Sequence, residues 1–101
     1  MIQELENYAQ SKKEFLEQKG IKVGIKNSEI RPKLFKLSIT LKAKENVADF
    51  TMWDKGSELP IEADVIVLNV PTGETTISKS IQVQEVQDLI KAFDELTNLL
   101  A

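Results

Sequence analysis

From Ile2 to Gln18 the apolar residues Ile2, Leu5, Tyr8, Ala9, Phe15 and Leu16 recur at helical spacing among Glu4, Glu6, Lys12, Lys13, Glu14 and Glu17. This pattern predicts an amphipathic helix over about 2–18. Gly20 stands where a left-handed residue closes a helix at low steric cost, and Lys19 beside it favours the negative end of the helix dipole. The period then changes to two. Ile21, Val23 and Ile25 alternate with Lys22, Gly24 and Lys26 in a strand over about 21–26, and Asn27-Ser28-Glu29 with Arg31-Pro32 supplies turn chemistry. The longest alternation covers 34–43, where Phe35, Leu37, Ile39, Leu41 and Ala43 interleave with Lys36, Ser38, Thr40 and Lys42. Segment 47–53 places Ala48, Phe50 and Met52 on one side and Val47, Asp49, Thr51 and Trp53 on the other. These two segments predict a hairpin whose register follows from parity. A loop with an even number of residues around Lys44-Glu45 pairs Leu41 with Ala48, Ile39 with Phe50 and Leu37 with Met52. An odd loop would set Leu41 opposite Asp49 and mix the two faces.

Asp54 to Pro60 reads as an excursion from the sheet, punctuated by Gly56 and Pro60. A strand follows over about 62–70, apolar on both faces through Val65, Ile66, Val67 and Leu68, so either something covers both faces or one face is left sticky. Pro71-Thr72-Gly73 makes a turn into a strand over about 75–82. The chain closes with a helix over about 84–100, whose stripe is Val86, Leu89, Ile90, Phe93, Leu96 and Leu100. Helix, five strands and helix predict a two-layer α+β fold in one domain spanning 1–101. In it a mainly antiparallel five-stranded sheet carries both the N- and C-terminal helices on one face. The expected core sets Phe35, Leu37, Ile39, Leu41, Phe50 and Met52 against Leu5, Phe15, Leu89, Ile90, Phe93 and Leu96.

Composition narrows the chemistry. The 101 residues include no cysteine and no histidine, which removes disulfides, thiolate nucleophiles, Cys-based zinc sites and the usual general base near neutral pH. Gly56 and Gly73 are isolated, so no glycine-rich phosphate cradle is present. Asp49, Asp54, Glu58, Glu62 and Asp64 lack the spacing of a calcium loop. No catalytic residue, metal or cofactor is therefore expected. With 16 acidic against 13 basic side chains, a dedicated nucleic-acid binder is disfavoured. The acidic start Met1-Ile2-Gln3-Glu4 has no signal-peptide pattern, and Val65 to Leu68 falls far short of the roughly 20 apolar residues of a membrane span. A cytoplasmic protein without membrane contact is the expectation.

What remains is surface. The even-loop register puts Lys36, Ser38, Thr40, Asp49, Thr51 and Trp53 on the sheet face away from the helices, with Trp53 exposed opposite Lys36. Trp53, Lys36, Asp49 and Thr51 are the candidate contacts for a protein partner, because tryptophan anchors interfaces disproportionately. The competing reading packs Trp53 under the excursion, covered by Leu59 and Ile61. Residues 1–45 carry ten basic and six acidic groups and residues 46–101 three and ten, a balance of +4 against −7. Such a division would suit a basic partner if folding preserves it, and is ordinary solvation if neighbouring strands interleave the signs.

The segment Phe50-Thr51-Met52-Trp53-Asp54-Lys55-Gly56, the run Asp64 to Glu74 with its Thr72-Gly73-Glu74 turn, the junction Lys19-Gly20-Ile21-Lys22-Val23 and the closing acidic-leucine helix together resemble the TriTu family of bacterial immunity proteins. The resemblance covers most of the chain and departs from the family pattern by extra residues around Ser57 to Ile61. It implies a cytoplasmic, non-catalytic protein that binds and neutralises a cognate polymorphic toxin. Two other readings stand beside it. One is a homodimeric interaction module using the doubly apolar strand around Val65 to Leu68. The other is a small-ligand binder with Ser38, Thr40 or Thr51 at the edge of a pocket between helices and sheet.

Overall fold

A computed structural model describes residues 2–32, 34–54 and 61–100, the side chains of Arg31 and Ile61 excepted. The order is α1 (Ile2–Gln18), β1 (Lys22–Arg31), β2 (Leu34–Lys42), β3 (Asn46–Asp54), β4 (Ile61–Asn69), β5 (Glu74–Val83) and α2 (Val86–Leu100). All neighbouring strands pair antiparallel in the spatial order β1-β2-β3-β4-β5, so the sheet is a meander and the fold is α+β.

The β2–β3 hairpin has the register that parity demands, with Leu41 opposite Ala48, Ile39 opposite Phe50 and Leu37 opposite Met52. Those six residues are fully buried. β4 continues the same face with Ala63, Val65 and Val67, paired to Met52, Phe50 and Ala48. α1 packs on β1 and on α2, while α2 packs on β3 and β5, so both helices cover this one face. Tyr8 meets Phe93 and Asp94, and one to two turns on Lys12, Phe15 and Leu16 stand beside Thr97 and Asn98. The two helices therefore run in the same direction across the sheet.

Local chemistry explains where the elements stop. α1 ends in a Schellman motif, in which the Ile21 amide donates to the Leu16 carbonyl and the Gly20 amide to that of Glu17, both at 3.0 Å, with Gly20 at a φ of 87°. Leu16 and Ile21, the pair that accompanies this motif, are both buried. α2 begins at Val86 because the Asp88 carboxylate accepts from the amides of Gln84 (3.2 Å) and Glu85 (3.1 Å), which satisfies donors the helix itself cannot. The β4–β5 turn uses Gly73 at a φ of 71°, and Asn69 Oδ1 accepts from the amide and hydroxyl of Thr72.

Three expectations need correction. β1 runs on through Asn27-Ser28-Glu29 to Arg31, because β2 offers Leu37, Lys36 and Phe35 as partners, and the ladder shifts register only between Glu29 and Arg31. Phe35 lies on the apolar side of β2 yet is 39% exposed, because the tip of the β1–β2 hairpin reaches past the start of α1, where Glu6 still accepts from Asn27 at 3.2 Å. Phe15 is 52% exposed, because its neighbour Leu16 takes the inward position and adjacent helical residues lie about 100° apart. Ile90 is half-buried at the margin of the core. The punctuation at Gly56 and Pro60 and the side chains of Leu59 and Ile61 lie outside the described residues.

Candidate protein-binding face

Period two sends every second strand residue to the side opposite the helices, and the pairing aligns those residues in rows across the sheet. One row reads Lys22, Lys42, Val47, Leu68 and Thr75 from β1 to β5; further rows contain Thr40, Asp49, Ile66 and Ser78, then Lys26, Ser38, Thr51, Asp64 and Ser80. The last contains Ser28, Lys36, Trp53, Glu62 and Gln82. Among the described residues no helix or strand lies over this face. The structure thus brings Trp53, Lys36, Asp49 and Thr51 onto a single surface, with Thr51 and Asp49 following Trp53 along β3.

The polar groups of this face are held in place. The Lys36 ammonium sits 4.8 Å from the centroid of the half-buried Trp53 ring, a cation–π contact between neighbouring strands. The Thr40 hydroxyl donates to Asp49 at 3.0 Å and the Ser80 hydroxyl to Asp64 at 2.6 Å. These bonds order carboxylates that would otherwise sample several rotamers. Ile66 is 45% and Leu68 36% exposed between them, next to half-buried Val47. Sequence reasoning left Glu62, Asp64, Ile66 and Leu68 out of the candidate contacts. The available signal was the doubly apolar run of β4, but its register against β3 is set across residues 55–60, which carry no alternation to count.

The hydroxyls of Ser38, Thr40 and Thr51 lie on this outer face, not at the edge of a pocket between helices and sheet, where Leu37, Ile39 and Phe50 are fully buried. Among the described residues no group of three or more acidic side chains is disposed to hold a metal ion. No described helix is long and apolar enough to cross a membrane.

Comparison with known families adds one finding. The family model described as immunity protein TriTu matches residues 3–99, which takes in all five strands and both helices apart from their outermost residues. The chain belongs to the TriTu family of immunity proteins. No curated protein and no solved structure matches it. In this member of the family, the open face just described is a surface that the described helices leave uncovered.

Proposed function

We propose that this TriTu protein resides in the cytoplasm of the producing cell, binds a cognate toxin domain and neutralises it by occlusion, without catalysis. Membership of an immunity family supports the class of function. The observation that carries the choice of surface is the open face, where a Trp53 indole braced by Lys36 lies in one row with Glu62, diagonal to Asp64 and on the same strand as Asp49. A hydrogen-bonded sheet costs little to order on binding, so an aromatic anchor on it converts burial into affinity efficiently. The carboxylates of β3 and β4 steer a basic toxin surface towards that anchor and raise the rate of encounter.

Growth under co-expression tests this reading. Cells that express a candidate cognate toxin domain are expected to grow only when the wild-type protein is present. Trp53→Ala should protect poorly, with an affinity on the order of 30-fold lower, the loss typical of a central aromatic anchor. Absence of protection by the wild-type protein against that domain would remove the proposed function. Full protection by a folded Trp53→Ala would remove this face from it.

A further inference from the structure

The open face has an order of charge that makes it complementary to itself. Its lysines, Lys22, Lys26, Lys36 and Lys42, lie on β1 and β2; its carboxylates, Asp49, Glu62 and Asp64, lie on β3 and β4; β5 contributes Thr75, Ser78, Ser80 and Gln82. Consider two copies face to face. A two-fold axis across the strands would lay β1 on β1 and β2 on β2, lysine against lysine. A two-fold axis along β3 exchanges β2 with β4 and β1 with β5, without changing level along the strands.

Under that second axis, Lys36 of one copy stands opposite Glu62 of the other, because both occupy the row of Trp53. The same operation puts the stem of Lys42 over Leu68 and Thr40 over Ile66, and repeats each contact twice. Trp53, Thr51 and Val47 fall along the axis and meet their own counterparts. Asp49 also meets itself, but its carboxylate is engaged by Thr40 of its own chain at 3.0 Å.

We propose that in the absence of a partner this protein forms a homodimer by aligned packing of its open faces, with the two-fold axis along β3. Twisted sheets pack in this way at about 30° to one another, an offset that lysine side chains span readily. Five strands at about 4.8 Å spacing and nine residues at about 3.3 Å give a face of roughly 700 Å² per copy. That is close to the roughly 800 Å² per partner of a standard interface, enough for a reversible dimer whose affinity area alone does not set. The proposal does not rest on toxin binding; if the toxin uses the same face, it displaces the second copy.

Charge exchange tests the axis directly. One variant carries Lys36→Glu and Lys42→Glu, and a second carries Glu62→Lys and Asp64→Lys. Sedimentation velocity on the full chain, with circular dichroism to verify folding, is expected to show the wild type passing from monomer to dimer as concentration rises. Each variant alone should stay monomeric at concentrations about tenfold higher. An equal mixture of the two should dimerise again, because both β2–β4 contacts then pair opposite charges. Since the chain has no cysteine, Thr51→Cys supplies a second test independent of charge. A short thiol-to-thiol crosslinker should join two copies through position 51 much faster than through a Gln10→Cys control on α1. A wild type monomeric at every concentration, a mixture that stays monomeric, or equal crosslinking at both positions would overturn the proposal.

Discussion

The Tyr8 hydroxyl donates to both carboxylate oxygens of Asp94, at 2.8 and 3.0 Å, while its ring meets that of Phe93 edge-on at a centroid distance of 5.8 Å. One side chain thereby joins α1 to α2. The hydrogen bond to Asp94, burial and the nearby negative charge all disfavour the phenolate, so the Tyr8 pKa is raised above its ordinary value of 10.0. A folded-state pKa above the unfolded value stabilises the protein fully below pH 10 and ceases to do so as pH rises through the folded pKa. Tyr8 is the single tyrosine of the chain, so an ultraviolet tyrosinate titration reports on it alone. The midpoint should lie above 10 and move back towards 10 in Asp94→Ala. A midpoint at or below 10 in the native protein would refute the clamp. Individual residues were unequally legible from the sequence. Trp53 was assignable to the open face because parity leaves it no other side. Phe15 was not assignable, because a helical stripe does not say which of two adjacent large residues turns inward; here Lys19 lies over its outward ring at 4.4 Å.

At the level of elements, helix and strand limits follow local chemistry wherever a backbone group has to find a partner. The Schellman closure at Gly20 is the clearest case. A β-carbon built on Gly20 would meet no atom within 4 Å, so the cost of Gly20→Ala is that of a left-handed alanine alone, about 1 kcal/mol. Urea unfolding should show a lower midpoint with an unchanged slope. An unchanged midpoint would mean that the positive φ is not needed. The β2–β3 hairpin was legible to the residue, because an alternating strand with one buried face suffers for every one-residue slip. The far half of β1 was not. Asn27, Ser28 and Glu29 have turn propensity, yet an extended partner strand draws them into the ladder, and tertiary pairing outweighs local preference at a sheet edge.

Across the whole molecule, the meander is what turns a division of charge in sequence into one in space. Because the strands lie in chain order, the basic first half occupies one side of the open face and the acidic second half begins at β3. Neither the strand order nor the position of β4 against β3 was readable from periodicity, since non-local pairing leaves no trace in a single strand's pattern. The doubly apolar run of β4 was visible in the sequence, but its alignment with Trp53 and with the acids beside it was not. The central claim is that this face captures a toxin domain, and the decisive measurement is calorimetric titration of that domain into four folded proteins. Trp53→Ala and Asp64→Lys alter the open face, Glu14→Lys alters the exposed side of α1, and the wild type is the reference. We predict wild-type affinity for Glu14→Lys and losses of about tenfold or more for the two open-face variants. Equal affinities for all four, or a loss confined to Glu14→Lys, would contradict the account.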